Sequence, residues 1–156
     1  MMLDDYTISS IDAPTMSGVI LRHEDLLYGE AGLDAERLEA WLGHPAYQDA
    51  MIVDGHGRLA AYAFMRMATY KGEQVIRILR ICVLPTHQHM GYGKVIHEAI
   101  VSFGFRYYIR CPERWVASQL WLQRRGWNPR VIKSGYVWFG ITPIEEIEGE
   151  DVGVVS

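Results

Sequence analysis

The stretch PTHQHMGYGKVIHEAI, residues 85–100, concentrates residue types whose spacing could do chemistry. Its two glycines, Gly91 and Gly93, lie where an amphipathic helix is predicted to begin. Glycine lets the backbone approach a ligand closely and adopt a positive φ. The first N–H groups of a helix have no internal partners and form the positive end of its dipole. The spacing Gln88-x-x-Gly91-x-Gly93 therefore predicts a turn that binds phosphate, with Lys94 adding charge at its rim.

The same stretch raises a second hypothesis, because His87, His89 and His97 could ligate a metal ion. His97, however, is predicted two turns into the helix, and no carboxylate or thiol stands at ligand spacing from the three histidines. We therefore expect no metal, and we expect these histidines to lie in the loop and on the surface. A role for His87 or His89 as a proton acceptor stays open, since imidazole titrates in the useful range.

The pattern of apolar residues around this turn predicts the element order α-α-β-β-β-α-β-α-β-β. The predicted helices cover residues 14–29, 34–43, 92–103 and 112–125, and the predicted strands lie within 50–67, 74–84, 105–110 and 129–141, with turns at 54–57 and 134–135. Cys111 is placed at the start of the last helix. The strand–helix–strand order from 74 to 110 implies a right-handed crossover and a parallel pair of strands.

Length and net charge limit the classes of protein to which the chain can belong. The chain has 156 residues and a net charge of −4, and the segment 145–156 contributes five acids and no bases. We expect one domain over 1–144 and a disordered acidic tail over 145–156. Because the rest of the chain carries a net charge of only about +1, a general nucleic-acid binder is not expected.

Cysteine content and hydropathy indicate the cellular compartment of the protein. Two cysteines are too few for a disulfide scaffold and fit the reducing cytoplasm. No apolar run approaches the roughly 18 residues of a membrane span, so no membrane partner is expected. The acidic start of the chain, MMLDDYTISSIDAP, lacks the apolar core of a secretory signal. A cytoplasmic protein is therefore expected.

The predicted phosphate turn carries a resemblance to a known family. The order of segments here resembles the signature of the GNAT superfamily of acyl-CoA-dependent N-acetyltransferases. That order is a buried strand, then Val83-Leu84-Pro85, then residues 88–93 (QHMGYG). The stretches IVDGHGRLAAYAF and WVASQLWLQRRGW are similar to its second and third strands and its later helix. The resemblance covers about residues 50–142. It implies an α/β three-layer fold with a mostly antiparallel sheet, a splayed parallel pair at the centre and helices on both faces.

The resemblance also implies a donor site for acetyl-CoA, with no metal. Backbone N–H groups of 88–93 would hold the pyrophosphate. The strand edge would bind the pantetheine arm in the wedge between strands 75–84 and 105–110. The residues implied in cofactor binding are Cys82, Val83, Gln88, His89, Met90, Gly91, Tyr92, Gly93, Lys94 and Ser118. The acceptor would be an amine, on a small molecule or a protein, attacking directly in a ternary complex. The final hairpin could pair across a homodimer.

The usual acid and base of the family are missing from the matching positions. Leu122 stands where a tyrosine often protonates the leaving thiolate, and Ile78-Leu79-Arg80 contains no glutamate. Glu73 and Tyr136 are the candidate catalytic residues in their place. A thiolate is a fair leaving group, so these differences leave two hypotheses. One is an acetyltransferase, and the other is a GNAT-fold module that binds coenzyme A or is structural, with little or no catalytic activity.

Two arginines, Arg77 and Arg80, interrupt the apolar strand 74–84. A charged side chain in such a strand either reaches the sheet surface or pairs with a carboxylate. Recognition of an acidic acceptor is the functional alternative. The sequence leaves both interpretations open.

Overall fold

The computed structural model describes residues 5–102 and 104–141. The strands are β1 (Tyr6–Ser9), β2 (Tyr47–Asp54), β3 (Leu59–Tyr70), β4 (Glu73–Val83), β5 (Arg106–Pro112), β6 (Asn128–Lys133) and β7 (Tyr136–Ile141). The helices are α1 (Ala13–Tyr28), α2 (Ala35–Gly43), α3 (Tyr92–Ile100) and α4 (Val116–Arg124), with 3-10 turns at Gly29–Ala31 and Pro85–His87. The strands form one sheet in the order β1-β2-β3-β4-β5-β7-β6.

The predicted fold class is confirmed. The sheet is antiparallel except for β4 and β5, which run parallel from the Val75–Arg106 pair to the Ile78–Ile109 pair. Residues 59–65 of β3 are all buried, although neighbouring side chains of a strand point to opposite faces. Both faces of the sheet are therefore covered along this part of β3.

Local signals explain the ends of several elements. Asp34 caps α2, because its side chain accepts a hydrogen bond from the Arg37 N–H at 2.8 Å. Asp54 closes the β2–β3 hairpin through Oδ1, which accepts from the N–H groups of His56 and Arg58 at 2.9 Å each. Gly126, with a φ of 92°, follows α4 and allows the chain to reverse.

The structure corrects three predicted boundaries. The last helix begins at Val116 rather than at Pro112, because Pro112 is the final residue of β5 and pairs with Tyr136. Cys111 consequently lies in a strand and not at a helix start. The helix predicted over 92–103 ends at Ile100. The strand β1 was not predicted.

Two compact units are distinguished within the chain. Among the described residues, the first comprises 5–65 and 80–100, and the second comprises 66–79, 101–102 and 104–141. In the first unit, α2 and α3 both pack on β2, and β1 pairs with β2 from Tyr6–Asp54 to Ser9–Met51. In the second unit, β7 lies between β5 and β6, and Val75, Tyr108 and Trp138 form a buried cluster.

Some predictions on organisation remain predictions. The single domain over 1–144 is one of them, and the acidic tail at 145–156 lies outside the described residues. Within 5–102 and 104–141, no helix is both long and apolar enough to cross a membrane.

Candidate functional site

The predicted turn between a strand and a helix is present in the first unit. After β4 ends at Val83, a 3-10 turn leads to Gly91, which has a φ of 91°. The Gly91 carbonyl accepts from the Val95 N–H at 3.3 Å, so Gly91 is the N-cap of α3. The N–H groups of Gly93 and Lys94 precede that bond and belong to the first turn, where a helix supplies no acceptor of its own. The turn thus presents the backbone donors that an anion requires.

The loop is open on one side and anchored on the other. Gln88, His89, Gly91 and Lys94 are exposed, and Met90 and Gly93 are half-buried. Tyr92 is buried, with its ring centroid 5.6 Å from that of His87 and 6.5 Å from that of Tyr6. The ring of Tyr92 therefore fixes the start of α3 while the neighbouring backbone stays accessible to a ligand.

His87 ties this loop to the β2–β3 hairpin. Its Nε2–H donates to Oδ2 of Asp54 at 2.8 Å, and its Nδ1 lies 2.8 Å from the Thr86 hydroxyl. The hydrogen bond from His87 lowers the pKa of Asp54 to about 2, despite partial burial of the carboxyl group. Contrary to the surface placement expected from sequence, His87 and His97 are both buried.

The end of β4 provides the predicted strand edge. Val83 is half-buried, and its carbonyl accepts from the Gln88 side-chain amide at 3.4 Å. Cys82 is buried, and this burial raises the pKa of its thiol to about 12. A thiol that stays protonated is a poor nucleophile, so Cys82 is a structural residue of this edge.

A buried polar cluster lies against Cys82, and it was not predicted. Glu24 of α1 is 0 % exposed, and it accepts from Arg80 Nε at 2.9 Å, from the Tyr62 hydroxyl at 2.9 Å and from the Leu33 N–H at 3.0 Å. Burial, with Cys82 and Glu24 nearby, raises the pKa of Tyr62, so its hydroxyl keeps its proton.

His23 completes this cluster. Its Nδ1 lies 2.7 Å from the Tyr62 hydroxyl oxygen, and its side chain is buried. Because Tyr62 donates its proton to Glu24, its oxygen accepts from His23, which places a proton on Nδ1. Burial lowers the pKa of His23 against the opposing charge of Glu24. The ring is therefore held neutral with the lone pair on Nε2.

The cluster also brings together three metal-ligating side chains. A ring nitrogen of His23, a carboxylate oxygen of Glu24 and Sγ of Cys82 all lie within 4.8 Å of one another. Both oxygens of Glu24, however, already accept hydrogen bonds from the Arg80 guanidinium. A cation here would have to displace that positive charge, so the donor set fits a hydrogen-bonded cluster better than a metal site.

The two arginines of β4 have different partners. Arg80 pairs with Glu24 and also stacks 4.2 Å from the Tyr28 ring centroid, which confirms the interpretation that it meets a carboxylate. The Arg77 guanidinium lies 5.1 Å from the ring centroid of Trp138 in the second unit. Arg80, as a charged residue in an apolar strand, was the sequence signal that pointed to a buried acid.

The remaining predicted residues belong to the second unit. Ser118 is exposed on α4, and Leu122 is buried on the same helix. Oε1 of Glu73 lies 3.5 Å from Arg106 Nε, and the Glu73 side chain is 55 % exposed. Tyr136 is half-buried, with the Arg110 guanidinium 4.2 Å from its ring centroid. Their predicted roles in binding and catalysis stay predictions.

Residues 18–127 match the model of the acetyltransferase (GNAT) family, and the chain belongs to that family. No curated protein matches the chain. Solved structures show the same fold. One is the ribosomal-protein-S18-alanine N-acetyltransferase from Escherichia coli, with a TM-score of 0.72 and 14 % identity over 94 % of this chain and 99 % of that chain.

Two further structures share the fold at similarly low identity. An acetyltransferase from Thermus thermophilus aligns with a TM-score of 0.72 and 15 % identity over 90 % of this chain and 99 % of that chain. Arabidopsis thaliana NAA60 in complex with acetyl-CoA aligns with a TM-score of 0.70 and 12 % identity over 88 % of this chain and 98 % of that chain.

Proposed function

We propose that the protein is an N-acetyltransferase that transfers an acetyl group from acetyl-CoA to an amine by direct attack in a ternary complex. The observation that carries the proposal is the loop 84–91, which leads from β4 to Gly91 and the first N–H groups of α3. A pyrophosphate fits such a turn because glycine at position 91 has no side chain, which permits the positive φ and a close approach of the ligand to the backbone. Family membership and the fold of NAA60, whose structure contains acetyl-CoA, support this choice of donor.

The residues proposed to hold the donor are those of the turn, 88–94, with the strand edge at Cys82 and Val83. Holding a thioester and an amine together can supply several kcal/mol of the barrier reduction without any covalent enzyme intermediate. The raised pKa of Cys82, about 12, supports direct attack over an acyl-cysteine. The acceptor is proposed to be an amine of a small molecule or a protein. Two free cysteines support a cytoplasmic setting.

A second candidate function is a binding module that takes up coenzyme A with little catalysis. The buried Leu122 favours it, since a leucine cannot protonate a leaving thiolate from α4. The two functions predict the same cofactor affinity and differ in turnover. Thiol release from acetyl-CoA across a broad panel of amines separates them, because the binding module releases none.

The donor site is tested by Gly91→Glu, which places bulk and negative charge at the mouth of the turn. Its matched control is Gly135→Glu, which has the same charge change and a similar positive φ, 80°, in the β6–β7 turn. Acetyl-CoA should stabilise the wild type and the control by about 2.7 kcal/mol at a hundredfold excess over Kd, and should leave Gly91→Glu unshifted. Equal shifts in all three proteins would refute this placement of the donor, and no shift in the folded wild type would refute the proposed function.

A further inference from the structure

The inference concerns the buried cluster on α1, β3 and β4, and it rests on the proposed function. We propose that His23 accepts the proton of the attacking amine, and that Tyr62 and Glu24 are positioning residues that hold its Nε2 ready to do so. The candidates weighed from sequence for this role were Glu73, His87 and His89. His23 was not among them, since nothing in its sequence neighbourhood, RHEDL, marks it as a base.

A chain of hydrogen bonds fixes the tautomer of His23. Glu24 accepts the Tyr62 proton at 2.9 Å, and Tyr62 in turn accepts Nδ1–H of His23 at 2.7 Å. A proton arriving at Nε2 makes an imidazolium whose Nδ1–H bond strengthens through Tyr62 toward the carboxylate. This is the arrangement of a base oriented by a second group and supported by an acid.

Nε2 of His23 is available to accept a proton. Among the described residues, the hydrogen bond to Tyr62 is the one that the His23 ring makes, so Nε2 keeps its lone pair, and the residue retains 7 % of its exposed area. A ring nitrogen of His23 lies within 4.8 Å of Cys82 Sγ, and Cys82 belongs to the proposed donor edge. His23 thus places a neutral imidazole next to that edge.

The charges around His23 favour its neutral form. The groups near His23 are Glu24 on its own helix, Tyr62 on β3 and Cys82 on β4, and Arg80 of β4 pairs with Glu24. Arg80 neutralises Glu24, while Tyr62 and Cys82 stay protonated. The neutral ring is therefore the resting form, and one proton makes it cationic beside a carboxylate that is already paired.

The amine nitrogen bonds to the thioester carbon, the carbon–sulfur bond breaks, and the thiolate leaves with the electron pair. The excess proton on nitrogen passes to Nε2 of His23, directly or through one water, and the thiolate takes a proton from solvent. The products are an amide and free thiol, and no oxidant or metal is required.

The test compares three variants of the full chain with the wild type. His23→Asn can keep an amide N–H toward Tyr62 but cannot accept a proton, and Tyr62→Phe removes the acceptor for Nδ1–H. His97→Asn is the matched control, because His97 is also a buried histidine of the first unit but lies on α3. We expect His23→Asn to lower kcat by roughly a hundredfold or more, the range for general base catalysis, with the Kd for acetyl-CoA unchanged.

The pH profile gives a readout that a structural role would not move. The wild-type kcat/KM should fall with decreasing pH as His23 takes up a proton, with a midpoint below its ordinary value of 6.5 because burial lowers its pKa. That limb should be absent in His23→Asn and shifted in Tyr62→Phe, and unchanged in His97→Asn. Nitrogen-15 NMR of labelled histidines should show His23 neutral with the proton on Nδ1.

The outcomes distinguish the role proposed for His23 from the proposed function on which it rests. Two results would overturn the role of His23 and leave the proposed function standing. One is a wild type that acetylates amines and a His23→Asn variant whose kcat is within about twofold of the wild-type value. The other is a proton found on Nε2 of His23. A wild type that binds acetyl-CoA and acetylates no amine would overturn both.

Discussion

Glu24 and Arg80 form a buried ion pair across 56 residues of sequence, with Arg80 Nε 2.9 Å from Oε1 and 3.1 Å from Oε2. Glu24 is wholly buried and the Arg80 side chain is 16 % exposed. The pair fixes α1 to β4 within the first unit. The negative charge of Glu24 is also connected to His23 through two hydrogen bonds, by way of the Tyr62 hydroxyl.

Breaking this pair from one side should be costly. Glu24→Gln keeps the volume but leaves the Arg80 charge without its counter-ion, so we expect the free energy of unfolding to fall by about 3–5 kcal/mol. Chemical denaturation measures it. In the double variant Glu24→Gln/Arg80→Met the loss should be smaller than the sum of the two single losses, and strict additivity would contradict the pairing.

The backbone of Glu24 also limits what can stand at Gly32. A Cβ at Gly32 would lie 2.6 Å from the Glu24 carbonyl oxygen, whereas a Cβ at Gly43 would meet nothing within 4 Å. Gly32→Ala should therefore destabilise the protein by about 1–3 kcal/mol through overpacking. Gly43→Ala should be neutral or stabilising by up to about 1 kcal/mol. Thermal or urea unfolding of the two variants gives the comparison, and equal stability would show that the chain relaxes at Gly32.

Asp54 should make part of the stability depend on pH. Its folded pKa is about 2 against an ordinary value of 3.8, so its contribution is complete above 3.8 and is lost as the pH falls toward 2. Asp54→Asn should lower the free energy of unfolding near neutral pH by about 2 kcal/mol, the range for hydrogen bonds to a charged group. The difference from the wild type should shrink over that acidic interval. A difference that stays constant from neutral pH down through that interval would argue against the bond to His87.

Neither thiol should react in the folded protein. Burial raises the pKa to about 12 for Cys82 and to about 11 for Cys111, and the thiolate is the reactive form. An aromatic disulfide reagent at mildly alkaline pH should release no colour from the native protein and two equivalents after unfolding, one for each free cysteine. Mass spectrometry after incubation with acetyl-CoA should find no acetylated cysteine. A rapidly reacting Cys82 would reopen the possibility of an acyl-enzyme.

Elements with a strong local signal were predictable from sequence. The Asp34 cap, the hairpin at 54–57 and the strand–turn–helix at 83–92 depend on residues close together in the chain, and the structure contains all three. Strand β1 escaped prediction because its four residues are all exposed, so its pairing with β2 leaves no apolar alternation in the sequence.

The candidate site divides in the same way. The turn around Gly91 was visible because glycine spacing is a local property. The hydrogen-bonded chain His23–Tyr62–Glu24 could not be predicted, since its members come from α1 and β3, at sequence separations of 38 and 39 residues. Arg80 alone hinted at it, and the identity of its partner could come only from the fold.

The divided use of the Asp54 carboxylate has a consequence for evolution and engineering. One oxygen sets the length of the β2–β3 turn, and the other holds His87 at the entrance to the Gly91 loop. Insertions or grafted epitopes at 54–57 would therefore change the structure of the Gly91 loop, even though the turn itself is exposed. In descendants of this chain, positions 54 and 87 should be replaced together, and the hairpin tip should vary less in length than an ordinary surface turn.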